Sequence, residues 1–210
     1  MGNLDTSKMG FSGRIGPIIA YMVNGKQRFR TYTDPRNPKT KKQTAHRSKF
    51  GFVSSMVSPL FKQIKIGFKD NNLNYGTVCG KVSREAVVGQ FPDLSMDYSK
   101  IKIAEGKLRL PAEIKVKVEE NSQVVRFTWN SENSSSSKPS GSEDRINIIC
   151  LNEGVKEAKR FSTNFLRREE KAHVELPEGW NPAEMHYWVY MSSYNRQVNS
   201  DSEYVRMPNL

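Results

Sequence analysis

Three histidines, two cysteines and scattered carboxylates are the side chains that could carry acid–base, nucleophilic or metal chemistry here. Their spacing argues against all three. His46, His173 and His186 have no metal-ligating neighbour at a useful separation, and Cys79 and Cys150 form no CxxC pair. Glu119–Glu120 and Glu169–Glu170 are adjacent carboxylates, but neighbours on a strand point to opposite faces and do not converge for acid–base work. No GxSxG, P-loop or GxGxxG occurs. No catalytic residue, metal site, cofactor or small-molecule substrate is expected, and the protein reads as a non-enzyme. The cysteines read as small buried apolar groups of a reducing compartment.

The chemistry the chain does offer is charge. Its 210 residues carry a net +11, and the charge is uneven. The first 69 residues hold 14 Lys and Arg against Asp5 and Asp34, whereas the remaining 141 are close to neutral. Such asymmetry points to a polyanionic partner, nucleic acid above all. The candidate nucleic-acid-binding residues are Arg28, Arg30, Arg36, Lys39, Lys41, Lys42, Arg47 and Lys49. No base-reading motif accompanies them, so binding through phosphates would be largely independent of sequence. Tyr21, Phe29 and Tyr32 interleave with Lys26, Arg28 and Arg30, a combination that stacks bases while neutralising phosphates. Phe29, whose alternate face lacks charge, is instead expected to pack on the helix that follows. A basic face that only keeps the protein in solution is the plainer alternative.

These residues need elements to position them. Residues 1–13 read as a mobile lead-in, and Ser12–Pro17 as a flexible entry to a hairpin. Ile15 to Val23 is rich in β-formers, with Gly16–Pro17 at its edge or in a bulge. Asn24–Gly25 supplies the two positive-φ residues of a type I′ turn. The return run, Lys26 to Thr33, alternates and sets Arg28, Arg30 and Tyr32 on one face. Thr40 to Gln43 fits a capping box, which starts a helix. Phe50, Val53, Val57, Leu60, Ile64 and Phe68 then form one apolar stripe, interrupted by Ser58–Pro59. There the helix either kinks or gives way to a second one. Lys41 and Lys42 at its start oppose the helix dipole, and a bound anion would offset that. A short helix is expected over Tyr75–Val88, a turn at Phe91–Asp93 and a hairpin through Ile101, Glu105–Gly106 and Leu110.

From Pro111 the pattern turns to short alternating strands: 114–118, 125–129, 146–151, around Phe161, 173–176, 185–193 and near Tyr204. The Ser-rich run from Asn130 to Asp144 reads as a loop inside this region. The expected fold class is α+β: a basic β-hairpin plus helices over residues 1–110, then an all-β sandwich over residues 111–210.

Two resemblances add to this. Val125–Trp129, Leu176–Trp180, Tyr187–Met191 and Ser200–Tyr204 resemble the second strand, the turn before the sixth strand, the sixth strand and the start of the last strand of a fibronectin type III or immunoglobulin-like sandwich. That fold hosts many roles and implies no activity. The whole chain is also similar to an uncharacterised Bacteroidetes family, a domain of unknown function. The carriers are Ser12–Gly13–x–x–Gly16–Pro17, Tyr21, Gly25–Lys26, Asn37–Pro38–x–Thr40–x–x–Gln43–x–x–x–Arg47, Pro92–Asp93 and Asp97–Lys100. The likeness implies a bacterial or mobile-element setting and carries no catalytic residue across.

Two functions are therefore expected to compete. One is a non-enzymatic nucleic-acid-associated protein that grips phosphates through its basic hairpin and helix start. The other is a structural or assembly protein of mobile-element or virion type, in which the same segment and the sandwich meet protein partners or further copies. No membrane partner is expected, since no apolar run approaches the roughly 20 residues of a span. With no signal-peptide pattern at the start, a cytoplasmic or virion-associated location is expected.

Overall fold

The architecture follows from where each segment buries its apolar residues. The computed structural model describes residues 3–5, 10–34, 37, 39–70, 73–118, 122–131 and 139–207. The chain divides into two compact units, Met1–Lys41 and Lys42–Leu210. The alternating strand pattern begins at Pro111, whereas compactness changes at Lys41/Lys42.

The first unit is a four-stranded antiparallel sheet in the order β1 (Asn3–Asp5), β2 (Gly10–Ile15), β3 (Ile18–Val23), β4 (Lys26–Thr31). The type I′ turn between β3 and β4 is as expected, with Asn24 at φ 50° and Gly25 at φ 74°. The lead-in is not. Residues 10–15 form a paired strand, and Gly16 (φ 56°) with Pro17 makes a second tight turn rather than a bulge. Its Ser/Gly composition resembles a linker, but pairing to β3 satisfies the backbone. The Gln27 amide adds to this, accepting from the Phe11 N–H (3.0 Å) and donating to the Phe11 carbonyl (2.7 Å).

Helix α1 (Lys41–Phe68), all but its first residue in the second unit, starts right after Thr40 and runs unbroken through Pro59. A proline inside a helix costs about 3 kcal/mol. Val53, Val57, Leu60 and Ile64 are buried to within 2% along one stripe, and each such side chain stabilises by about 1.5–3 kcal/mol. Burial outweighs the lost hydrogen bond, so the helix does not end. α2 (Tyr75–Glu85) follows, capped by the Asn74 side chain on Thr77 N–H at 2.8 Å. It stops short of Val88, because β5 (Val87–Gln90) pairs with β6 (Asp93–Met96) across a cis Phe91–Pro92 turn.

The expected hairpin over 101–110 does not form. Its backbone groups are claimed by distant elements. Ile103 N–H donates to Ser202 Oγ (2.9 Å), Ser202 N–H to the Ala104 carbonyl (3.0 Å), and Leu108 N–H to the Asn199 carbonyl (3.0 Å). Trp188 Nε1 donates to the Ile101 carbonyl at 2.9 Å.

The rest is a two-sheet sandwich. β7 (Ala112–Val118), β8 (Val124–Asn130), β9 (Arg145–Asn152), β10 (Glu157–Leu166), β11 (Lys171–Glu175), β12 (Met185–Ser192) and β13 (Glu203–Val205) lie close to the seven expected strands. One sheet runs β11-β8-β7 and the other β10-β9-β12-β13. The fold class is α+β with a β-rich body, as the sequence indicated.

β9 and β12 are buried on both faces, which accounts for their near-continuous apolar runs. Ile146, Ile148, Cys150, Tyr187 and Val189 face the sandwich interior with Phe127 and Trp129. Ile149, Leu151, Trp188 and Tyr190 face out, into a second core with the buried stripe of α1 and with Val78 and Val82 of α2. Cys79 and Cys150 are free and buried, as expected. Among the described residues no helix is long and apolar enough to cross a membrane.

Candidate functional site

Register places the cations of the first unit. Residues directly opposite in an antiparallel pair share a face. Tyr21 faces Arg28, and Ile19 faces both Arg30 and Arg14. Val23 faces Lys26 at the turn. Arg14, Lys26, Arg28 and Arg30 therefore stand on one side of the sheet. Along β4 the three cations recur every two residues, about 7 Å apart.

Two of these contacts preorganise the face. The Arg14 guanidinium stacks on the Tyr32 ring, 3.6 Å from its centroid, while its Nε donates to the Gly16 carbonyl at 2.9 Å. Tyr32 N–H donates to the Pro17 carbonyl at 2.6 Å, which carries the β3–β4 pairing one residue further. Ile19, Tyr21 and Arg30 line a depression of about 400 Å³. Tyr21, at the edge of exposure among these guanidinium groups, can stack a base while phosphates are neutralised around it.

The opposite face is apolar. Ile15, Ile18 and Phe29 share it and are 62%, 47% and 67% exposed. Phe29, expected to be packed away, is exposed.

The remaining candidates are placed as follows. Lys39 is exposed and has a left-handed backbone, φ 48°. Arg36 lies outside the described residues. Lys41 and Lys42 are exposed in the first turn of α1, which holds no acidic residue. Lys42, His46 and Lys49 fall on one helical stripe by their i, i+4, i+7 spacing, and Arg47 is turned well away from it. Arg14 was not among the sequence candidates. The signal for it was the Gly16–Pro17 turn, which, read as a turn, puts Arg14 in register with Arg30.

The histidines do not converge. His46 is exposed on α1, and His173 is exposed beside the Phe165 ring at 4.9 Å. His186 is half-buried between Tyr204 Oη (2.8 Å) and Glu153 (3.5 Å). Among the described residues no cluster of three or more His, Cys, Asp or Glu could hold a metal ion.

Comparison with known proteins adds a family but no activity. No curated protein matches the sequence. Among solved structures, the fibronectin type III domain of human contactin 1 is similar at 14% identity and a TM-score of 0.27, over 50% of this chain and 84% of that one. The model of the "Family of unknown function (DUF6266)" matches residues 10–206, nearly the whole chain, and the chain belongs to that family.

Proposed function

We propose that this is a non-enzymatic polyanion-binding protein, with nucleic acid as its ligand and the cationic face of the first unit as its main contact surface. The observation that supports this is the shared face of Arg14, Lys26, Arg28 and Arg30, with Tyr21 and Tyr32 interleaved. Lys42 and Lys49, on one stripe of α1 in the second unit, are a separate cationic group that phosphates could meet by themselves. Affinity then comes from phosphate neutralisation and stacking, with little dependence on base sequence.

The test is fluorescence anisotropy with labelled single- and double-stranded DNA and RNA. Neutralising about four phosphates makes log K fall with log salt at a slope of roughly −3 to −4 between about 50 and 200 mM. An Arg14→Ala/Arg28→Ala/Arg30→Ala variant should lose most of that slope. Tyr21→Ala should weaken single-strand binding by about 1–3 kcal/mol and leave the slope unchanged. No binding at about 50 mM salt, or a variant that binds like wild type, overturns the reading.

A second reading has its own support. The exposed Ile15, Ile18 and Phe29 form an apolar face of the kind that meets protein partners. It fits a structural or assembly role in a bacterial, mobile-element or virion setting. A concentration-dependent oligomer dispersed by Phe29→Ser, with no nucleic-acid binding, is the result that favours it.

A further inference from the structure

The second unit holds a cavity of about 220 Å³ whose walls come from three separate segments. Ile64 and Phe68 of α1, Val78 and Val82 of α2, with Leu73 before α2 and Ile101 after the short 3-10 turn Tyr98–Lys100, make its lining almost wholly apolar. An apolar cavity of about 150 Å³ stays dry and takes a benzene-sized molecule, so this one has room for roughly eight carbons of alkyl chain.

The rim of the cavity is cationic. Lys81, Lys100 and Lys102 stand around it against one carboxylate, Glu85. Lys100 is paired with Asp97 at 3.5 Å. Among the described residues no ion pair involves Lys81 or Lys102. The Lys81 ammonium sits 5.8 Å from the centre of the Phe68 ring, directly over the apolar wall. Lysine does this by laying its alkyl stem along apolar surface and keeping its charge in water. An apolar cavity beneath two available ammonium groups has the complementarity of an amphiphile with an anionic head.

We propose that the cavity binds a medium-chain fatty carboxylate. The alkyl chain lies among Ile64, Phe68, Val78 and Val82, and the carboxylate meets Lys81 and Lys102. The site lies wholly in the second unit, and it runs against the expectation from sequence that no small molecule is bound. Its walls lie in three segments that no motif connects.

The test is calorimetric titration of the full chain with sodium octanoate, with octan-1-ol as the same tail without the charge. Saturable 1:1 binding is expected, about tenfold weaker for the alcohol. Lys81→Met/Lys102→Met, which keep the apolar stems and remove only the charges, should weaken octanoate about tenfold and leave the alcohol unchanged. Both substitutions change only the charged tips, and an unchanged melting transition is the control that the fold is retained. Val78→Phe, which fills the cavity, should abolish binding of both ligands, with an intact melting transition as its control. Failure to saturate by about 1 mM octanoate overturns the proposal. So does equal affinity for acid and alcohol, or an unchanged double-lysine variant. Competition by octanoate against nucleic acid would show that the added anion is reading the cationic sheet, and would also overturn it.

Discussion

His186 is where one side chain carries the most environment. Its ring is stacked on Tyr98 with centroids 3.8 Å apart, its Nδ1 is 2.8 Å from Tyr204 Oη, and its Nε2 is 3.5 Å from Glu153. Burial pushes the imidazole below its ordinary value near 6.5, and the Glu153 carboxylate only partly offsets this. The native protein therefore holds His186 neutral where the unfolded chain would protonate it. Its contribution is fully present above about pH 6.5 and is lost as pH falls toward the lower native value. Glu203 works the other way, since partial desolvation at the edge of β13 raises its carboxyl and acidification relieves that cost. Comparing His186→Gln with wild type separates the two. Urea midpoints taken from about pH 7 to pH 5 should fall less steeply in the variant, and parallel curves would show that His186 is not the titrating group. No residue spacing signals this arrangement: Glu153, Tyr98 and Tyr204 come from three different parts of the chain, and only the folded sheet brings them to one ring.

Helix α1 shows which parts of an element are written locally and which are not. Its start after Thr40 and its apolar stripe are legible, because capping chemistry and a 3.6-residue period act within a few turns. Its continuity through Pro59 is not, because the burial that outweighs the proline comes from strands far along the chain. The same holds for its end. The carbonyl of Gly67 accepts from Asn199 Nδ2 at 2.7 Å, and Asn199 in turn meets Ser192 Oγ (3.0 Å), which is bonded to Asn147 (2.7 Å). A buried polar chain thus satisfies a carbonyl that the helix itself leaves open. Gly67 is tightly enclosed, and a Cβ there would overlap the Ile103 carbonyl oxygen and crowd Ala104. Gly51, in the same helix, has nothing within 4 Å of a Cβ. Gly51→Ala should stabilise by about 0.5–1 kcal/mol through helix propensity alone. Gly67→Ala should destabilise by about 1–3 kcal/mol through overpacking. Denaturant melts of the two variants read this directly, and equal effects would mean that the close approach of α1 to residues 103–104 is wrong. Strand β2 is the converse case: alternation places the β4 arginines correctly, but Arg14 stays hidden until Ser12–Pro17 is recognised as strand and turn.

At the scale of the whole molecule, charge and stability are held by different units. Residues 1–41 carry eight Lys and Arg against two acids, a net +6 in a fifth of the chain. Both apolar cores are made wholly of residues beyond Lys42. A cut near Asp70, where the charge asymmetry ends, would remove Val53, Val57, Leu60 and Ile64 from the second core and unfold what remains. A cut at Lys42 leaves both cores whole. The chain from Lys42 to Leu210 should therefore melt cooperatively within about 3 °C of the full-length protein, since a shift that small corresponds to less than about 1–2 kcal/mol. The same fragment loses the sheet that carries Arg14, Lys26, Arg28 and Arg30. Its salt dependence on nucleic acid should flatten by about 0.9 per phosphate contact removed, or roughly 3.6 for four. A fragment that melts like the parent and binds with the parent's slope moves the polyanion site onto the second unit, around the start of α1. One that does not fold shows that the first unit supports the body, and the two-unit description fails with it.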